Sequence, residues 1–95
     1  MSQEYLSVAI WEPLPGLESA SLLTIREITA VISKKGYGRD LLYHSGKSYV
    51  LLRYWNSEQA RRTAHEDPEL LRCWARLGNE IQILKVYEKL EEVGV

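Results

Sequence analysis

The sequence predicts an α+β domain with the element order β-α-β-β-α-α-β, and three stretches carry that prediction. Ser48–Trp55 reads SYVLLRYW, a strand apolar enough to be covered on both faces. Leu22, Ile25, Ile28 and Ile32 recur at helical spacing and mark one long amphipathic helix. Asp67-Pro68-Glu69 is a helix start: an aspartate to cap, a proline at the first helical position, and an acid beside the positive end.

In chain order, residues 4–11 form the first strand, with Leu6, Val8 and Ile10 on one face and Tyr5, Ser7, Ala9 and Trp11 on the other. Pro13 and Pro15-Gly16 stop it, because proline cannot donate to a ladder and the glycine permits a turn. The long helix covers residues 18–35. Leu23, Ala30 and Val31 are expected to widen its apolar stripe, and Gly36 stands just past its end. Residues 38–44 form the second strand. Ser45-Gly46-Lys47 turns it back, so that Ser48–Trp55 pairs as a hairpin. In that third strand Val50, Leu52 and Tyr54 share one face, and Tyr49, Leu51, Arg53 and Trp55 the other. Ser57 caps a short helix that reaches about Glu66. The helix from Pro68 puts Leu70, Trp74 and Leu77 on one stripe and stops near Gly78-Asn79. Residues 81–89 are the last strand, and Lys85 and Lys89 suit an edge that must not aggregate.

The 95 residues fit one domain, covering positions 1–95, and an apolar fraction of 45% is ordinary for a globular chain. Net charge is −1, from 12 basic and 13 acidic residues, so neither nucleic acid nor an anionic membrane is an expected partner. The pairs Lys34-Lys35 and Arg61-Arg62 read as solvated helix surface. Cys73 is the only cysteine, which excludes an internal disulfide and a cysteine zinc site. With no secretory leader pattern and no apolar run near the ~20 residues that cross a bilayer, the expected compartment is the cytoplasm. The two histidines lie far apart, and neither a glycine-rich nucleotide motif nor metal-ligand spacing occurs, so no cofactor and no metal are expected. A domain this small would gain stability as a homo-oligomer.

Several residues are candidates for a site. His65 ends a helix and is the proton-handling type, as general base or ligand anchor; alternatively it only complements the helix dipole. Arg53 puts a charge in an apolar strand, so it needs a partner: a ligand carboxylate or enolate held bidentately, or a carboxylate of a mate chain. Trp74 can stack on an aromatic ligand, or be core. Trp11 and Trp55 end two strands on matching parity and either flank a pocket mouth or close a dimer, with the dimer favoured. Tyr43 and Tyr54 are candidate hydrogen-bond donors to a ligand carbonyl. Cys73 reads as a packed thiol.

The layout, with Trp55, Ser57 and Ala60 in a Trp-x-Ser-x-x-Ala run, then His65, then the Asp67-Pro68 helix start, resembles the antibiotic biosynthesis monooxygenase family of the dimeric α+β barrel superfamily. The Pro15-Gly16 turn fits as well. The resemblance implies a ferredoxin-like fold with a four-stranded antiparallel sheet, two chains pairing their sheets into a barrel, and a pocket in each chain between sheet and helices. It implies binding of a small apolar or aromatic molecule, with cofactor-independent monooxygenation of an aromatic or quinol-like compound as the reaction. The alternative is a non-catalytic carrier or accessory domain of the same fold. In the first reading Trp55 and Trp74 shape the cleft, His65 or Tyr54 handles a proton, and Arg53 stabilises negative charge. The haem-degrading branch uses an asparagine on the first strand, a tryptophan on the first helix after the hairpin and a histidine on the next. Here the first strand has no asparagine and the other positions fall near Ala64 and Trp74, so haem is not expected.

Overall fold

A computed structural model describes residues 5–95. It contains β1 (Tyr5–Pro13), α1 (Glu18–Lys34), β2 (Gly38–Ser45), β3 (Ser48–Trp55), α2 (Glu58–Ala64), α3 (Pro68–Leu77) and β4 (Ile81–Leu90). The strands make one antiparallel sheet in the order β2-β3-β1-β4, which puts β4 at an edge. The order and the ferredoxin-like topology are those the sequence predicts. Glu4, the expected first residue of β1, lies outside the described residues. β1 runs on past Trp11 because β4 continues the pairing as far as Pro13, opposite Ile81.

The sheet has one covered face. In β3, Tyr49, Leu51, Arg53 and Trp55 are buried, whereas Val50, Leu52 and Tyr54 are only half-buried. Register sets the same face in β1, where Ser7 lies opposite Arg53, Ala9 opposite Leu51 and Trp11 opposite Tyr49, although the central position of β1 also buries Val8 on the other face. Trp11 stacks on Tyr49 with ring centroids 4.7 Å apart and packs with Ile25, Leu51 and Ile81. Trp55 packs with Ile28, Val31, Ile32, Ala64, Leu70 and Cys73 from the helices. Both indoles therefore face the helices, which corrects the expectation that Trp11 and Trp55 close a dimer: strand parity puts them on the chain's own core side.

The core stripe of α1 also differs from the expected one. Leu23 and Ala30 are exposed, and Ser21 and Thr24 are buried instead. Helical phase sets Ser21 and Thr24 in line with Ile25, Ile28 and Ile32. Their hydroxyls are satisfied, Ser21 by the Glu18 carbonyl at 2.8 Å and Thr24 by the Glu80 carboxylate at 2.6 Å, so burial leaves nothing unpaired. The helix ends in a left-handed glycine motif: Gly36 has φ +71°, its N–H donates to the Ser33 carbonyl, and that of Tyr37 donates to Ile32 at 2.9 Å. Two residues on, Gly38 presses against β3 so closely that a Cβ there would lie 2.2 Å from the Tyr54 carbonyl oxygen.

Two polar clamps lock the helices and the edge strand in place. Asp67 caps α3 by accepting from the Glu69 N–H at 2.9 Å, and its other oxygen accepts from Lys35 Nζ and Tyr37 Oη, both at 2.7 Å. It thereby ties the end of α1 to the start of α3. The second clamp is Arg53, whose Nε and a terminal N–H donate to the two oxygens of Asp40 at 2.7 and 2.8 Å, while Thr29 of α1 donates to Asp40 Oδ2 at 2.9 Å. The Asp40 side chain is 2% exposed and that of Arg53 11%. The partner that Arg53 requires is thus in its own chain, on the neighbouring strand, and is neither a ligand nor a mate molecule. A ladder that sets Asp40 opposite Arg53 makes this pair unavoidable.

The hydrogen bonds from Lys35 and Tyr37 hold the Asp67 carboxyl well below the usual carboxylate range. Because its folded pKa lies below its unfolded one, the clamp stabilises fully at neutral pH and is lost as pH falls below the ordinary carboxylate range. Asp67→Ala should lower the urea midpoint at pH 7 and flatten its decline between pH 4 and pH 2, approximate limits set by the ordinary aspartate pKa; an unchanged slope would remove Asp67 from the acid transition. Asp40→Ala should cost about 3–5 kcal/mol by stranding a buried guanidinium, and Asp40→Ala with Arg53→Met should recover much of that in denaturant titrations.

Candidate functional site

Between the covered sheet face and the helices α2 and α3 lies an open cleft of about 320 Å³, floored by Ser7, Ala9, Leu51, Arg53 and Trp55, walled by Ile83 and Val86 of β4, and roofed by Arg61, His65 and Trp74. A slightly larger hollow of about 360 Å³ opens between α1 and β2, at Ile25, Arg26, Thr29, Ala30, Asp40 and Leu42. Its one carboxylate, Asp40, is already engaged by Arg53 and Thr29, and no aromatic ring lines it. The cleft combines apolar walls with convergent polar groups and is the candidate site.

His65 is the C-cap of α2. Its Nδ1 lies 2.7 Å from the Arg61 carbonyl oxygen. A carbonyl only accepts, so Nδ1 carries the proton, and in the neutral imidazole Nε2 is the basic nitrogen. The ring sits between two indoles, its centroid 5.1 Å from that of Trp74 and 5.7 Å from that of Trp55. Trp55 is fixed in turn: its Nε1–H donates to Ser7 Oγ at 3.0 Å, and Ser7 donates to the Glu88 carbonyl at 2.6 Å. That relay joins β3, β1 and β4 under the cleft and sets the floor on which a ligand would lie.

The structure brings together four of the residues singled out from sequence: Trp55, Trp74, His65 and Arg53. It separates the other three. Tyr54 alternates to the opposite sheet face, where the Arg39 guanidinium lies 4.3 Å over its ring, so it cannot share proton chemistry with His65. Tyr43 is paired with Val50 on that same outer face and is exposed. Trp11 is core and lies outside the cleft lining. Arg53 lines the floor, but two of its donors are committed to Asp40, which weakens its role as a holder of ligand charge. Cys73 is buried among core side chains, and that burial pushes its thiol pKa up, away from nucleophilic use.

Sequence reasoning misses two contributors. Ser7 falls on the correct face, yet nothing local marks its bond to Trp55. Arg61 reads as solvated surface together with Arg62. Arg62 is exposed, but the Arg61 side chain is only 24% exposed and its guanidinium lies 5.5 Å from the Tyr5 ring centroid. The available signal is spacing: Arg61 precedes His65 by four residues and shares its helix face. Among the described residues no cluster of His, Cys, Asp or Glu could hold a metal ion. Nor does any helix there have the length and apolarity to cross a membrane.

No protein-family model matches the sequence, and no curated protein matches it. Solved structures do match in shape. SnoaB, a cofactor-independent oxygenase from Streptomyces nogalater, superposes with a TM-score of 0.77 at 18% identity, over 97% of this chain and 98% of that one. Rv0793 from Mycobacterium tuberculosis gives 0.73 at 21% identity, over 97% and 100%. PA3566 from Pseudomonas aeruginosa gives 0.78 at 19%, over 99% and 98%. A candidate antibiotic biosynthesis monooxygenase from Chloroflexus aurantiacus gives 0.77 at 14%, over 98% and 97%. The likeness spans the whole of each fold: the chain has the α+β architecture of the antibiotic biosynthesis monooxygenase-like proteins.

Proposed function

We propose that the chain binds a small, flat, largely apolar molecule in the cleft and oxidises it with dioxygen without a cofactor. The observation that carries this reading is His65, its Nδ1 pinned by the Arg61 carbonyl and its ring set between Trp55 and Trp74. The indoles suit an aromatic ligand, and Nε2 suits removal of a proton from a phenol or an enolisable carbon beside a carbonyl. The resulting anion supplies electrons to dioxygen. A C–O bond forms at the ring carbon, the O–O bond breaks, and the second oxygen atom leaves as water with the two hydrogens of the reacting CH₂. A quinol would instead pass two protons and two electrons to dioxygen, leaving a quinone and hydrogen peroxide. That SnoaB is a cofactor-independent oxygenase of the same fold supports the reading.

A second reading, non-catalytic carriage of the same ligand class, is favoured by one observation. Arg53, the one group read from sequence as stabilising negative charge, is bound to Asp40. The two readings separate on one measurement, oxygen uptake with a panel of quinols and anthrones. The oxygenase reading expects uptake that falls by about a hundredfold or more in His65→Ala, the usual scale of a lost general base, with the melting temperature unchanged. Ligand-induced thermal stabilisation without uptake would leave carriage. Absence of both would sink small-molecule binding.

We also infer that two chains pair through the outer sheet face. Leu6, Leu41, Tyr43, Leu52, Tyr54 and Tyr87 lie on that face by register, and several are substantially exposed in the single chain. Sedimentation should give the mass of two chains at micromolar concentration, and Leu52→Glu should give one. A wild-type monomer would overturn the pairing.

A further inference from the structure

We propose that Arg61 is the specificity-determining residue of the cleft and selects flat aromatic ligands that bear a carboxylate; this rests on the reading of the cleft as an aromatic-binding site. Two arginines line it. Arg53 is neutralised by the two-pronged bond to Asp40 at 2.7 and 2.8 Å. Arg61 is three-quarters buried, yet its guanidinium makes no hydrogen bond to a described residue. Its ionic contact is with Glu88 at 3.9 Å, and the Glu88 carboxylate is 80% exposed. The stem of Arg61 is buried while its guanidinium nitrogens still reach solvent at the cleft, so their donors are open to an incoming acceptor.

The chemistry that would satisfy them is legible nearby. A carboxylate offers two coplanar oxygens to a guanidinium fork, the geometry Arg53 already makes with Asp40. Glu88, reaching over from the edge strand, is a weak stand-in that a ligand carboxylate would displace. Arg61 extends from the same helix as His65, and its own carbonyl sets the His65 tautomer. A ring lying against Trp55 and Trp74 would therefore present its anionic substituent to Arg61 and its reactive edge to Nε2.

The test is calorimetric titration of the full chain with 2-naphthoate and its neutral analogue 2-naphthamide. The proposal expects naphthoate to bind about tenfold more tightly or better, the scale of one charge-assisted bidentate contact. Arg61→Gln should erase that preference, weakening naphthoate binding far more than naphthamide binding. Arg61→Lys should retain part of it, and Glu88→Gln should strengthen naphthoate binding by removing the competitor. Equal affinities in the wild type, or a preference that survives Arg61→Gln, would overturn the role of Arg61 and leave the aromatic cleft standing. If neither compound binds, or if Trp74→Ala changes neither affinity, the cleft reading fails first and this inference with it.

Discussion

Alternation along β3 is the constraint on which everything else depends. A strand turns successive side chains to opposite faces, so Tyr49, Leu51, Arg53 and Trp55 must share the side that the helices cover. From that follow the burial of a charge, the need for Asp40 opposite it, and the position of Trp55 under the roof formed by α2 and α3. A shift of one residue in the β1–β3 pairing would put Arg53 outside and Tyr54 inside, undoing the core and the cleft together.

Much of this architecture can be read from residues alone, because the signals are local. Asp67-Pro68 marks the start of α3 through capping chemistry that acts within one turn. The hairpin follows from a glycine turn between apolar runs, and the parity of β3 follows from period two. The stripe of α1 is only partly legible, because composition favours Leu23 over Thr24. A threonine can be buried when a distant acceptor exists, and Glu80, which accepts from it, is more than fifty positions away in sequence.

The site is harder to read, for a similar reason. Trp55, His65 and Trp74 are recognisable by type, whereas their assembly around one space depends on how α2 and α3 lie on the sheet. Arg53 looks available in the sequence because its partner sits on another strand. Arg61 looks solvated because charged pairs on helices usually are, and only the docking of α2 over Tyr5 and β4 draws it inward. Parity alone would set Tyr54 aside once the covered face is known.

The position of β4 has a consequence for how the protein is made. β1 is central, yet its two neighbours emerge at very different times: β3 joins it early, whereas Leu6 waits for Leu90. During synthesis one side of β1 presents unpaired amides and carbonyls while most of the chain has already formed. The last strand to arrive closes that seam, so a slow or interrupted arrival leaves the nascent sheet open to pairing with another molecule.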